Sequence, residues 1–471
     1  MEELADLIIR TAKNKGASYA EARLESAKSS GFVLKNGIAQ VSGYDVTKGI
    51  AVRLISNGSM AFGSTNILTK SSVTKLVESV IKSAKTSAPA AFKTEFSDEN
   101  SEKDEYEVKQ KIDVRTVSPA KKLSLLQDID KAILGTKKSV PGRYLILGDE
   151  YVDKLFVNSE GSRIKSIIPR TNFTYFTTLR ENGSLIQRYW QHGASGGFET
   201  LTAMNLPKIL SDEIVTLSKN ALEGVKSPKG NIDMVLGPQI VGIVVHESAG
   251  HPGEADRILG REAAQAGESF LGINDIGKKI GSDKVTIIDD PAIEGSFGYY
   301  KYDDEGVKAK KRYLYKDGRI ADFLHNRQSA AMTGTKSTAS ARASAFDREP
   351  LVRMANTYFE CGEYSEAELI KDTKKGIFMK TFMEWNIDDK RFNQKYVGAE
   401  AYLIENGKIT KPIREPVLEI TTPKLYSSVD GAANNIEFHA GSCGKGEPMQ
   451  GMPVWFGGPS IRIRKVRLGN P

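Results

Sequence analysis

Residues 3–14 place Leu4, Leu7, Ile8 and Ala12 at helical spacing and run into Gly16, which predicts an opening helix. Short alternating runs follow at Tyr19–Leu24, Gly31–Leu34, Ile50–Ile55 and Met60–Phe62, broken by Asn36-Gly37 and Asn57-Gly58. Asn-Gly between apolar runs signals a hairpin, because both residues tolerate positive φ. Thr69–Ala84 returns to helical spacing through Val73, Leu76, Val80 and Ile81. Two helices flanking antiparallel hairpins predict an α+β layer with the helices on one sheet face.

Ser97–Lys111 is almost wholly polar and reads as a solvated connector. Beyond it the pattern predicts a helix over Pro119–Ile133. Strands are expected at Tyr144–Leu147, Leu155–Val157, Arg163–Ile168 and Asn172–Thr178, then a helix over Ile209–Leu222 that ends near Gly224. Lys226-Ser-Pro-Lys-Gly230 marks the main boundary. The next segment opens with a strand, Ile232–Leu236, then Gly237-Pro238 and an apolar helix through Val245, with Ala- and Gly-rich helical material to about Ile280. Later runs read as strands: Lys284–Ile288, Tyr313–Tyr315 turning at Asp317-Gly318 into Ile320–Leu324, Ala401–Ile404 before Asn406-Gly407, and Val417–Ile420. Ser365-Glu-Ala-Glu368 fits a capping box for a short helix over Leu369–Lys375. The fold class is therefore α+β. An N-terminal α+β region of antiparallel sheets and helices covers 1–225, in sub-parts 1–96 and 112–225. A β-rich C-terminal region covers 226–471 and carries the apolar helix.

A length of 471 residues with 39% hydrophobic content excludes global disorder and is enough for two to four compact units. The 66 Lys and Arg against 59 Asp and Glu leave a net charge of only +7. That is too mild a bias, and too poor in interleaved aromatics, for nucleic-acid binding. Ser460-Ile-Arg-Ile-Arg-Lys-Val-Arg467 reads instead as a strand with one solvated face. The acidic opening Met1-Glu-Glu does not suit a secretory signal, and Val241–Val245 is far shorter than a membrane span. Two cysteines cannot build a disulfide framework. The expectation is a cytoplasmic chain without membrane or nucleic-acid partners, with Cys361 in the core.

Chemistry concentrates in Val244-Val-His246-Glu247-Ser-Ala-Gly-His251-Pro252, which holds two of the chain's 5 histidines. The spacing is one residue longer than the H-E-x-x-H of familiar zinc proteases. Residues five apart on an α-helix point about 140° away from each other, so a straight helix cannot aim both rings at one ion. Gly250 and Pro252 supply a break: either unwinding after about Ala249 folds His251 back, or a local π-type widening does the same. Glu247 would then stand beside His246 as a general base. A catalytic zinc ordinarily has three protein ligands. Cys443, framed by Gly441 and Gly444, is the best further candidate, with His439 as competing ligand or substrate-contacting neighbour. His192 and His325 read as structural, and Tyr302-Asp-Asp-Glu-Gly306 as a turn.

With these residues in place, the chain resembles the TldD/PmbA family (modulator-of-gyrase metallopeptidases), specifically its TldD-type, metal-bearing subunit. The likeness runs over essentially the whole length. It is carried by Gly16-Ala-Ser-Tyr-Ala-Glu21, His246-Glu-Ser-Ala-Gly-His251 with Asp256, Tyr302-Asp-Asp-Glu-Gly306, Pro350-Leu-Val-Arg-Met-Ala-Asn-Thr357 and Cys443-Gly-Lys445. Pro252, directly after the second histidine, departs from the family pattern. The resemblance implies one zinc ion per active site on His246, His251 and Cys443, with Glu247 as catalytic base. It also implies proteolysis of unfolded or short peptides, including peptide precursors, in a homodimer or a heterodimer with a TldE/PmbA-like subunit. Two rival readings stay open: a non-peptidase zinc amidohydrolase, and a non-catalytic partner whose structural metal is closed off by His439 or Asp256.

Overall fold

The computed structural model describes residues 2–90, 92–262 and 267–469, apart from the side chains of Val41 and Ser42. Its first half is one seven-stranded sheet with helices against it. The elements are α1 (Glu2–Asn14), β1 (Tyr19–Lys35), β2 (Ile38–Ser56), β3 (Ser59–Thr65), α2 (Lys70–Ser87), β4 (Lys103–Glu107), α3 (Pro119–Gly135), β5 (Gly142–Asn158), β6 (Arg163–Glu181), β7 (Ser184–Ser195) and α4 (Leu206–Glu223). The strand order is β3-β2-β1-β5-β6-β4, with β7 also on β6. Leu4 and Ile8 of α1 and Val73 and Val77 of α2 bury against Leu24, Val52 and Leu54. As the Asn-Gly pairs require, Asn36 and Gly37 turn at φ 49° and 81°, and Asn57 and Gly58 at 52° and 75°.

Strands expected in short pieces are continuous: Tyr19–Leu24 and Gly31–Leu34 are parts of β1, and four more pieces merge into β5 and β6. Polar residues interrupt the apolar alternation without ending the strand, because each has a buried partner. Ser30 Oγ donates to Asp149 Oδ2 at 2.7 Å, and Lys122 Nζ donates to Ser30 Oγ at 2.8 Å. Lys154 Nζ lies 3.3 Å from Glu25. The polar run Ser97–Lys111 is likewise more than a connector, since it contributes β4, which pairs in parallel with β6. The Ser97 carbonyl also accepts two bonds from the buried Arg327 guanidinium.

The second half holds two larger sheets. Its main elements are β8 (Asn231–Leu236), α5 (Pro238–Val245), β9 (Ile287–Asp289), β10 (Arg312–Lys316), β11 (Asn356–Phe359), β12 (Lys375–Met379), β13 (Ala401–Glu405), β14 (Lys408–Arg414), β15 (Val429–Ala432), β16 (Glu437–Lys445), β17 (Gln450–Gly458) and β18 (Ile461–Arg467). One sheet runs β15-β18-β8-β12-β13-β14, with Val225–Lys226 beyond β14. The other runs from Arg319–Ile320 through β10-β9-β11-β17 to β16 at its edge. Strands 382–387, 393–398 and 417–421 form a separate small sheet. No helix among the described residues is long and apolar enough to cross a membrane.

Several expectations fail in this half: the strand expected over Ile320–Leu324 is only Arg319–Ile320, and the one expected from Lys284 begins at Ile287. The helical material anticipated up to Ile280 is, among its described residues, a π turn (His246–Gly250), one short helix (Ala255–Ile258) and one 3₁₀ turn (Ile273–Asp275); positions 263–266 lie outside the described residues. Gly260 and Gly277, at φ 67° and 84°, hold turns that no helix accommodates. Cys361 is exposed rather than in the core, because it follows the end of β11.

α5 follows β8, an interior strand of one sheet, and packs on β11, β16 and β17 of the other. It is apolar all round and buried everywhere except Gln239, as befits a helix between two layers. Gly242 permits this approach: a Cβ there would stand 2.8 Å from Phe456 Cδ2 and 3.0 Å from the Gly457 nitrogen. The helix then widens into a π turn over His246–Gly250, in which the His251 N–H donates to the His246 carbonyl at 3.1 Å. The widening is therefore found and the unwinding is not. His251 keeps helical dihedrals (φ −59°, ψ −48°) despite the following proline; tertiary contacts override that local bias. The Ser248 carbonyl accepts from Tyr315 Oη at 3.2 Å, and Ser248 Oγ pairs with Tyr426 Oη at 2.6 Å. Gly250 matters for space rather than φ, since a Cβ would meet Met354 Sδ at 1.9 Å.

Gly250→Ala is therefore expected to cost about 1–3 kcal/mol by overpacking, with part recovered on adding Met354→Ala; thermal unfolding of both variants checks this, and a fully stable single variant contradicts it. A second expectation concerns His325, whose burial lowers its pKa from 6.5 to about 4. The unfolded chain takes up this proton near pH 6.5, whereas the folded chain does so only near 4. Stability is thus full above pH 6.5 and declines as pH falls toward 4, by about 2–3 kcal/mol for this residue. Denaturant unfolding at pH 7 and 4.5 should show that share vanish in His325→Gln; an unchanged difference contradicts the assignment.

Candidate metal centre

The π turn brings the rings of His246 and His251 to a centroid separation of 4.9 Å, nearly perpendicular at 82°. Cys443 comes from β16, where alternation puts it on the inward face with Gly441 and Lys445. Its Sγ lies 3.5 Å from His251 Nε2. One nitrogen from each ring and the sulfur all fall within 4.8 Å of one another, and all three residues are buried. Zinc bonds of about 2.0–2.3 Å at tetrahedral angles separate donors by about 3.3–3.7 Å, so small side-chain adjustments close a three-donor set. Two features fit a metal. The donors are two imidazoles and a thiol, and His246 Nδ1 is buried without a hydrogen-bond partner among the described residues.

The charges agree with that fit. Burial alone would push the Cys443 thiol up, but His251, Arg353 and His246 hold it well below its ordinary range. These charges favour the thiolate, the form that binds metal. For His246, burial works downward, yet its bond and charge interaction with Cys443 raise it above the usual histidine value. Behind His251, Nδ1 meets Glu254 Oε2 at 3.1 Å, leaving Nε2 toward the sulfur. Glu254 is fully buried and also contacts Arg257 Nε at 2.6 Å and Lys445 Nζ at 3.4 Å. Burial would raise this carboxyl, but Lys445, Arg257 and His251 bring it far below normal.

Glu247, one residue past His246, borders a cleft of about 310 Å³ walled by Trp190, Phe382, Trp385 and Val454, with Gly441 and Gly444 on its floor. A side chain at Gly441 would collide with Phe456 Cε1 at 2.9 Å. Arg391 Nη1 donates to Glu247 Oε2 at 2.6 Å. A larger open depression of about 740 Å³ around Lys395, Lys424 and Lys465 has neither histidine nor cysteine in its lining. Among the described residues, two strands present unpaired edges at the cleft: β16 ends its sheet, and β7 pairs only with β6. The buried Gln191 Oε1 of β7 has no partner among the described residues.

His439 does not join the three donors and does not line this cleft. It packs edge-on against Trp190 at 5.3 Å, and burial, helped by His192 and Arg188, lowers its pKa to about 3. Asp256 is also outside the cluster, held by Lys445 Nζ at 2.6 Å. His192 stacks on Phe173 and Tyr175, and His325 bonds Ser329, both structural as expected. The 302–306 segment is a turn in which Asp303 accepts from the Glu305 and Val307 amides. Sequence reasoning missed Glu254 and Arg391. Glu254 has a faint signal, three residues after His251; Arg391, 144 positions from Glu247, has none.

The chain is similar in sequence and in fold to known proteins. Profiles of the PmbA/TldA metallopeptidase family match domain 1 at residues 20–84, the central domain at 112–222 and the C-terminal domain at 229–470. A metalloprotease of Methanocaldococcus jannaschii is 32% identical over 94% of this chain and 95% of its own length. A protein named as a zinc metalloprotease TldD homolog, from Saccharolobus solfataricus, is 24% identical over 98% of both chains. The crystal structure of TldE from Thermococcus kodakarensis has the same fold, with TM-score 0.77 and 16% identity over 99% of this chain and 100% of that one. A Thermotoga maritima structure described as a putative modulator of a DNA gyrase superposes with TM-score 0.80, 16% identity and the same coverage. Matched from domain 1 through the C-terminal domain, the chain belongs to the PmbA/TldA metallopeptidase family.

Proposed function

We propose that this protein is a zinc-dependent peptidase that hydrolyses unfolded or short peptides, including peptide precursors, at the cleft beside Glu247. The observation that carries the reading is the buried cluster of His246, His251 and Cys443 opening onto that cleft. The three side chains would hold one zinc ion; once bound, it would supply Lewis acidity at the scissile carbonyl and lower the pKa of a water. Glu247 takes the proton of the attacking water and passes it to the leaving amine nitrogen, so the C–N bond breaks as the acid and the amine form. A purely structural site would need a further ligand, and neither His439 nor Asp256 stands in the cluster, which favours a catalytic one.

An extended peptide would add to the free edge of β16, and backbone pairing there binds without sequence preference. Gly441 and Gly444 leave room for it, whereas His439 acts as packing behind Trp190. In this reading, residues 1–225 supply the β7 wall and 226–471 the chemistry. The protein acts in the cytoplasm, where Cys443 stays reduced, and as a dimer, either with itself or with a TldE/PmbA-like chain. Similarity of fold to TldE supports the latter.

Glu247→Gln should abolish cleavage of a denatured test protein while zinc content stays at that of the parent; cleavage at the parental rate contradicts the base assignment. Cys443→Ser should lower zinc affinity by about 10-fold or more, read by metal analysis after dialysis against a competing chelator. Unchanged zinc content would remove Cys443 from the donor set.

A further inference from the structure

The mechanism above leaves one partly buried cation of the cleft without a task. Arg391 stands in the turn between strands 382–387 and 393–398, with its side chain 12% exposed. Its φ is 64°, a left-handed conformation unusual for arginine. The backbone there is fixed from several sides: the Arg391 N–H donates to the Asp388 carbonyl at 2.9 Å, and the Arg391 carbonyl accepts from Thr422 Oγ1 at 2.8 Å. Asp388 further accepts from the Phe392 and Asn393 amides. These bonds fix the turn and with it the position from which the side chain enters the cleft.

The cleft is the one beside Glu247. Nη1 contacts Glu247 Oε2 at 2.6 Å, while the buried Nε has no acceptor among the described residues. A guanidinium carries five donor hydrogens, so most of this fork is still unused in a pocket walled by Phe382 and Trp385. A carboxylate that takes a proton from attacking water lies within one hydrogen bond of the water, which lies beside the carbonyl carbon. A donor bonded to that carboxylate is therefore within reach of the carbonyl oxygen.

We propose that Arg391 is a catalytic residue that donates a hydrogen bond to the scissile carbonyl oxygen as it becomes an oxyanion. As the carbon–oxygen bond to water forms, the carbonyl π pair moves onto that oxygen, and the proton from water reaches Glu247. Negative charge thus leaves the carboxylate and appears on the carbonyl oxygen, and Arg391 follows it. The low-polarity walls strengthen the new contact. The inference rests on the proposed peptidase reaction at Glu247 and adds to it a second electrophile supplied by the protein.

The test uses the zinc-loaded full chain with a short peptide and its phosphinic analogue, whose tetrahedral anion copies the charged state. Arg391→Ala should lower kcat by about 100-fold while KM changes by less than about 3-fold. The inhibition constant of the phosphinic peptide should rise in parallel with the loss in kcat. Zinc content and melting temperature should match the parent, and added guanidinium should restore part of the rate. Arg391→Lys, which keeps the charge and loses the fork, should fall between the two. A parent-like kcat and phosphinic affinity in Arg391→Ala overturns the inference, as does a rate loss matched by lost zinc or lost stability. If the zinc-loaded parent cleaves no peptide at all, the proposed function falls and takes this inference with it.

Discussion

One hydrogen bond sets the terms for the whole centre: the His251 N–H to the His246 carbonyl, five residues back, at 3.1 Å. In an α-helix the two rings would diverge by about 140°. The π turn adds one residue to the loop of the bond and turns both rings to one side. Such a turn has poor local energetics, so the surroundings must hold it. Tyr315 and Tyr426 occupy the polar atoms of Ser248, and Met354 fills the space that only Gly250 leaves. α5 is locked between two sheets upstream, and the Leu324 N–H donates to the Gly253 carbonyl at 2.8 Å downstream. The two histidines of the candidate cluster thus follow a helix buried between two sheets, and the π turn sets their phase toward Cys443 on β16.

Around this turn, charge is arranged in two directions. Glu254, Arg257 and Lys445 form a buried network behind His251 that fixes which ring nitrogen faces Cys443. Lys445 is two residues beyond Cys443 on the same strand face, so one strand supplies both the sulfur and the cation that anchors the opposite side of the site. On the cleft side, Arg391 opposes Glu247. The rear network is buried, whereas the front pair borders the cleft.

The fold was legible where chemistry is local. Asn-Gly and Asp-Gly pairs at 36–37, 57–58, 317–318 and 406–407 all turn with positive φ, because few other residues tolerate it. Apolar periodicity located α1, α2, α3 and α5 to within a few residues. Strand lengths were not legible, since polar residues such as Ser30 and Glu25 stay in strand through partners more than 90 positions away. The Ala- and Gly-rich stretch after His251 looked helical by composition, but its glycines serve turns. At the site, the donors stood out because histidine and cysteine are scarce, and the phase argument required a distortion that is present. Proline at 252 pointed toward unwinding, but packing against Met354 and Leu324 prevailed. Arg391 lay beyond reach, since nothing local to it distinguishes it from other surface-turn arginines.

The proposed chemistry requires two imidazoles and one thiolate to share a single cation. X-ray absorption at the zinc edge of the loaded protein reads this directly. The expected result is one sulfur at about 2.3 Å and two imidazole nitrogens at about 2.0–2.1 Å, with the remaining position taken by a light atom. A first shell of nitrogen and oxygen without sulfur, or a shell of four protein ligands closed to solvent, would contradict it.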